Sequence, residues 1–324
     1  MLLLAAGLSG PDDLLYYADG TVLVGEHTNG HLAKVGGAAG LVRLPQAFPE
    51  PEGMAEIAGT TYVADQFNAR VVALTDTGTR TVLQLQPVAS GENLDGISVD
   101  LNGTGLVVPD SPHGTVLFVN TSGSVTGKVG GFSRPAGVWP DPYAGGYLVA
   151  DEGSGALYEI KGNSAQRLAA GLAGVDDVVR DARNHVLVTL PAPGTIYDVT
   201  ARNTMVAGLR NPQGLAFDGA QNLLVTESDS GRLDLIVTSF AVSVPSKTVL
   251  LKPGQGVCYG ILRAPGNTDS LRVFQTVGAV PLDDPQLDAQ GEVVPQPCTL
   301  PVCTVSLAIQ GPTGIEFASF TYRD

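Results

Sequence analysis

The sequence predicts an all-β protein: a six-bladed β-propeller closed by its own N-terminal strand and followed by a small β-sandwich-like domain. A phrase of roughly sixteen residues recurs six times, and the recurrences are spaced by about the length of a four-stranded blade. Composition agrees, because 41 Gly and 22 Pro among 324 residues punctuate short runs of Val, Leu and Ile. That excludes long helices, coiled coils and collagen-like repeats.

The phrase is an apolar residue or Pro, an acid or Gln, then Gly or Asp, three or four apolar residues, a turn, and an apolar strand ending in an acid. It reads PDDLLYYADGTVLVGE (11–26), PEGMAEIAGTTYVAD (51–65), LDGISVDLNGTGLVVPD (94–110), PAGVWPDPYAGGYLVAD (135–151), VDDVVRDARNHVLVTL (175–190) and PQGLAFDGAQNLLVTE (212–227). Indexed on the Gly-or-Asp position, the copies start at Asp13, Gly53, Gly96, Gly137, Asp177 and Gly214, with separations of 40, 43, 41, 40 and 37 residues. Each copy holds two strands joined by a Gly, Asn or Asp turn. The third strands are HLAKV (31–35), RVVAL (70–74), TVLFV (115–119), ALYEI (156–160), TIYDV (195–199) and RLDLI (232–236). Fourth strands precede the next copy at 40–44, 81–85, 125–129, 165–172 and 203–209, and the sixth unit lacks one. MLLLAAGL (1–8) matches AQRLAAGL (165–172), and each leads into a pair of acids, so residues 1–8 supply the missing outer strand and remove two exposed sheet edges. SKTVLLK (246–252) fits that place less well.

The division expected is 1–240 for the propeller and 241–324 for a small all-β domain, which carries Cys258, Cys298 and Cys303. An odd number of cysteines without a CxxC spacing points to buried free thiols, with a Cys298–Cys303 pair as the alternative in an oxidising compartment. The chain has 32 acids against 18 bases, a net charge of −14, which argues against nucleic acid or an anionic membrane and leaves cations, cationic ligands or neutral substrates. No apolar run approaches a membrane span, and residues 1–8 are too short and lack the basic leader of a signal peptide, so the compartment stays open.

The first strand starts at the index residue and the second ends at the acid, so antiparallel pairing places both on one face near the axis. The residues just before the index form an inner ring of Asp12, Glu52, Asp95, Ala136, Asp176 and Gln213, four of them carboxylates. Carboxylates at contact distance repel by roughly 4 kcal/mol per pair at an effective dielectric near 20. Two outcomes answer this: a hard divalent cation held by Asp12, Glu52, Asp95 and Asp176, Ca²⁺ before Mg²⁺, or acids around a water-filled channel that keep some of their protons. The outer acids Glu26, Asp65, Asp110, Asp151 and Glu227 are expected to cap the turns that follow them. Blade five ends instead in Leu190, a break that would open an apolar wall. His27 follows Glu26 at a corner as a candidate general acid or base. Across the Thr28–Gly30 turn it would face His31. His113 lies in another corner on the same face, and His185 in a turn on the opposite one. Arg134 is the lone cation three residues before an index position.

Residues 51–74, PEGMAEIAGTTYVADQFNARVVAL, resemble an NHL repeat through Ala64, Asp65, Asn68 and Arg70. The other blades resemble the wider set of six-bladed propellers that includes the senescence marker protein/gluconolactonase and strictosidine synthase-like families. In gluconolactonase-like proteins blade-start residues hold a divalent ion, and the matching positions here are Glu52, Asp95 and Asp176. That family's PNG asparagine is replaced by Gln213 and Ala136. The acidic ring, together with this resemblance, points to a divalent-metal-dependent hydrolase of the lactonase type, in which the residues expected to be catalytic are His27, Arg134 and Asp177, with Gln213 and His113 contacting a small-molecule substrate. Two alternatives accompany it. One is a non-catalytic scaffold that binds a ligand or protein; the other is a strictosidine synthase-like enzyme using Glu227 or Glu52 on an amine.

Overall fold

The computed structural model describes residues 1–36, 40–75 and 78–238, and beyond them the segments 240–243, 249–250, 259–263, 272–277, 280–282, 302–311 and 314–323. Six four-stranded antiparallel sheets follow one another around an axis. Their innermost strands are Pro11–Tyr16, Pro51–Ile57, Ser98–Val99, Pro135–Asp141, Val178–Arg180 and Pro212–Phe217, one to each recurrence of the phrase. Blade six takes its outer strand from the N-terminus, where Leu2–Ala6 pairs antiparallel with Arg232–Ile236.

Alternation of apolar residues gives each sheet two faces, and each face packs on the next blade. Between blades six and one the core is Leu8, Leu14, Val24, Ala33, Leu224 and Leu233, and equivalent clusters fill the other blade interfaces. Leu190 joins the core between blades four and five beside Val188 and Leu172. The apolar opening expected there is therefore closed, because an apolar side chain at that strand end gains more from the blade interface than from solvent.

The residues that reach the axis are set free by a repeated irregularity. In four blades an inner-strand Pro pairs with the acid of the second strand: Pro11 with Glu26, Pro51 with Asp65, Pro135 with Asp151, Pro212 with Glu227. The register then shifts, and pairing resumes at Leu14, Met54, Val138 and Leu215. Proline offers no N–H to the ladder, and a bulge re-aims the residues it releases. The two released residues in each case are the ring residue and the index residue.

At the axis the index positions touch. A Cβ on Gly53 would meet Ile97 N at 2.1 Å, one on Gly137 would meet Asp176 O at 2.7 Å, and one on Gly214 would meet Asp13 Cα at 2.8 Å. Glycine is needed there because the neighbour is backbone. The two index aspartates serve as clamps. Asp177 accepts from the amide of Val178 at 2.7 Å and from Leu215 of the next blade at 2.8 Å, and Asp13 accepts from Leu14 at 2.7 Å and from the Met54 amide.

Beyond the propeller, Phe240–Ser243 pairs with Gly260–Arg263, and a five-stranded sheet runs in the order Val249–Leu250, Gly314–Arg323, Cys303–Gly311, Arg272–Val277, Val280–Leu282. Val249–Leu250, from the segment weighed as a rival outer strand for blade six, lies parallel to Tyr322–Arg323 instead. Val305, Leu307, Phe320 and Tyr322 are buried together, while Ile309 packs on Ala220 of blade six. Cys303 is disulfide-bonded, which corrects the expectation of free thiols at that position; Cys258 and Cys298 lie outside the described residues. No helix among the described residues is long and apolar enough to cross a membrane.

Candidate functional site

The expected ring is wider than four acids. Asp12, Asp13, Glu52, Asp95, Asp176 and Asp177 all line one small axial cavity of about 10 Å³, floored by Gly53, Gly96, Gly137 and Gly214. That is room for roughly one water molecule or one ion. Backbone bonds between blades hold it in shape: Gly53 N donates to Asp95 O at 3.3 Å and Gly137 N to Asp176 O at 2.8 Å. Two threonines finish the frame. Thr189 Oγ1 accepts from Asp177 N at 2.9 Å, and Thr226 Oγ1 accepts from Gly214 N at 2.9 Å while donating to Asp12 O.

Within this ring Asp12, His27 and Glu52 present ligand atoms that all lie within 4.8 Å of one another, a geometry able to hold a divalent cation. Glu52 is buried at 3% exposure and its Oε1 is hydrogen-bonded to His27 Nδ1, whose side chain is 38% exposed. His27 therefore turns inward to the neighbouring blade's acid and not across its own turn to His31. Sequence placed His27 at the corner, but only the rotation from blade one to blade two brings it to Glu52. The other two predicted ligands sit differently. Asp95 Oδ2 lies 2.9 Å from the Arg134 guanidinium, which also reaches Glu152 at 2.5 Å and Glu92 at 3.6 Å. Asp176 lines the cavity without joining the three-residue cluster.

The remaining predicted residues are placed as follows. Asp177 is in the ring with its oxygens committed to the amides already described. Gln213 is half-buried next to Gly214. His113 is on the rim, 52% exposed and 2.7 Å from Asp110. The outer acids cap their corners: Asp151 accepts from Ser133 N, Arg134 N and Ser154 Oγ, Glu227 accepts from Arg210 N, and Glu26 accepts from Ser9 N and Arg43. His185, on the far side, pairs with Asp198 at 2.5 Å.

Burial, followed by the charge of Glu52, holds the Asp12 carboxyl well above the usual carboxylate range. Burial does the same to Glu52, with Asp95, Asp176 and Asp13 adding repulsion, and to Asp176 and Asp177. Asp95 is pushed up to about 6 by burial against the pull of Arg134, and Asp13 to about 7 by burial. A raised acid keeps its proton in the fold at a pH where the unfolded chain has lost it. Its stabilising contribution is complete below about pH 4 and is lost as pH rises through the folded value. Melting temperature in the presence of a chelator is therefore expected to fall between pH 5 and pH 8, with Asp95 alone contributing about 1.4 kcal/mol over that interval. Glu26, held low by Arg43 despite burial, has the opposite sign: its contribution is full above the ordinary glutamate value and is lost only as pH falls below it, through the lowered folded value. A melting temperature that climbs from pH 5 to pH 8 under chelation would contradict protonated ring acids.

No family model matches the chain and no curated protein matches it. Solved structures share its fold. Virginiamycin B lyase from Staphylococcus aureus is 15% identical, with a TM-score of 0.55 over 73% of this chain and 98% of that one. A protein assigned as a gluconolactonase is 14% identical, with a TM-score of 0.58 over 72% of this chain and 92% of that one. The nidogen/laminin complex contains a chain that is 16% identical, with a TM-score of 0.52 over 61% of this chain and 80% of that one. At these identities the likeness establishes the six-bladed propeller and nothing finer.

Proposed function

We propose that the protein is a divalent-metal-dependent hydrolase of cyclic or open esters, acting where Asp12, His27 and Glu52 meet. The observation that supports this best is three ligand atoms of mixed chemistry within 4.8 Å, set in a ring whose acids need a positive charge. The shared fold with a protein assigned as a gluconolactonase is consistent with it. An imidazole in the donor set moves the preferred ion from the Ca²⁺ expected of carboxylates alone toward Mn²⁺ or Zn²⁺.

When bound, such an ion polarises a carbonyl and lowers the pKa of water. The chain's own residues do the rest. Glu52 and Asp12 fix the cation side of the site, and Asp177 and Asp13 keep the blade starts in place through their amide bonds. Arg134, held by Asp95 and Glu152, aligns the substrate's oxygen atoms at the rim. Hydrolysis adds the water oxygen to the acyl carbon, breaks the acyl C–O bond and delivers a proton to the departing alkoxide. With His27 drawn into the ligand set, that proton passes through Asp176, whose carboxyl is held well above the usual carboxylate range by burial. Gln213 and His113 contact the substrate from the rim.

The competing reading is a non-catalytic scaffold in which the ring is structural, supported by the fold shared with a chain of the nidogen/laminin complex. A strictosidine synthase-like reading retains Glu52 only, since Glu227 is occupied at its corner by Arg210 N at 2.5 Å and Arg232 at 3.5 Å. Elemental mass spectrometry of the purified protein separates the first two. About one divalent ion per chain, with a melting temperature that drops on chelation and recovers on adding Mn²⁺ or Zn²⁺, is the expected result. Ligand at a hundred times its Kd contributes about 2.7 kcal/mol. Metal-free protein whose melting ignores both chelator and added ions would rule against the hydrolase.

A further inference from the structure

A second cavity, far larger than the axial one, lies away from the face that carries His27 and Arg134. The axial ring divides the propeller's centre, and on its other side the inner strands diverge into a chamber of about 1090 Å³ that reaches the turns joining first to second strands. This volume is slightly above the usual range of small-molecule sites, about 300–1000 Å³. Asp13 and Asp177 belong to both spaces, so the clamp residues of the ring are also the chamber's inner end.

Its walls have a specific character. Tyr16, Trp139, Tyr143 and Phe217 supply aromatic surface, and Trp139 meets Phe217 edge to face at 6.4 Å between ring centroids. Trp139 is partly exposed and Tyr143, at 64% exposure, stands at the mouth. Glu56 and Asp100 also line the chamber, and the one basic lining residue is Arg180. That guanidinium is already committed: it lies 2.7 Å from Asp141, which is fully buried, and 2.5 Å from Asn184 Oδ1. Asp100 spends one oxygen on the amides of Asn102 and Thr104. Glu56 has no ion pair among the described residues.

We propose that this chamber is a binding site for a small organic cation, an ammonium group carried on an aromatic or aliphatic frame, bound by aromatic faces and the Glu56 carboxylate. An anion would meet Glu56, Asp100, the acids Asp13 and Asp177 at the inner end, and a neutralised arginine. A cation gains from the aromatic faces and from the unpaired acid, while its frame covers the apolar wall. This site is independent of the metal cluster and of the hydrolase reading, because its recognition elements lie on the opposite side of the ring.

Trp139 is the only tryptophan in the chain, so fluorescence excited selectively at tryptophan, away from the nine tyrosines, reports on this wall. The full-length protein would be titrated with benzyltrimethylammonium, benzyl alcohol and benzoate, which share a ring and differ in charge. A saturable change with the ammonium compound, roughly tenfold weaker binding of the alcohol and weaker still of benzoate, is expected. In Glu56→Gln, with an unchanged melting temperature as the check on folding, ammonium affinity should fall by roughly five- to tenfold while the alcohol is unaffected. Benzoate or benzyl alcohol binding as tightly as the ammonium compound, or no saturable change with any of the three, overturns the proposal. The wild-type series decides the matter should the variant not fold.

Discussion

Gly53→Ala is expected to prevent folding or to lower the melting temperature by roughly 10 °C or more. The added Cβ would stand 2.1 Å from Ile97 N, 2.5 Å from Gly96 C and 2.6 Å from Gly96 Cα. Every one of these atoms is backbone of the next blade, so no side chain can rotate away and blades two and three would have to part at the axis. Close packing makes this costly, about 4 kcal/mol or more, and each kcal/mol is worth about 2–4 °C in a domain of this size. Gly127→Ala is the control. Its Cβ would make an ordinary 3.5 Å contact with the Phe118 ring, and the change should stay within about 1 kcal/mol. Equal melting temperatures for the two variants would show that the blades do not approach this closely.

His27→Ala and Glu52→Gln are expected to abolish divalent-ion binding and to reduce ester hydrolysis beyond the 10–100-fold that changes around a ligand shell typically cost. Glu52 is central because its carboxylate touches both Asp12 and His27. Asp176→Asn makes the useful contrast. It removes a ring acid outside the cluster, so metal content should persist while stability under chelation at pH 8 rises, since one less proton has to be retained in the fold. Its turnover should still fall, by roughly 100-fold, if it carries the proton to the leaving alkoxide. Wild-type metal content in both His27→Ala and Glu52→Gln would place the ion elsewhere.

The blade count, the ring and the N-terminal closure were legible because each rests on local chemistry repeated six times. Index glycines mark close approach, acids mark strand ends, and the match between residues 1–8 and 165–172 locates an outer strand without its neighbours. What eluded the sequence depends on neighbours in space. That Asp13 and Asp177 reach across to the amides of Met54 and Leu215 requires the blade-to-blade rotation. The meeting of His27 with Glu52 requires the same rotation and also the bulge that frees Glu52 from its ladder. The chamber was missed for a different reason. Tyr16, Trp139 and Phe217 sit at the far ends of inner strands, where their apolar character reads as ordinary core until the strands are seen to diverge. The state of Cys303 was beyond spacing arguments altogether, since disulfide geometry is set by three-dimensional approach.

The closure of blade six has a consequence for how the chain is made. Leu2 pairs with Leu235, so the ring is sealed by joining the propeller's first strand in chain order to one of its last. Joining ends that far apart costs about 5 kcal/mol of chain entropy, which the seal recovers only once every intervening blade is in place. Until then an apolar Leu-Leu-Leu strand waits without its partner, a template for pairing with another nascent chain. The interval between residues 2 and 236 is thus the time for which that strand stands open to a wrong partner before the ring can close.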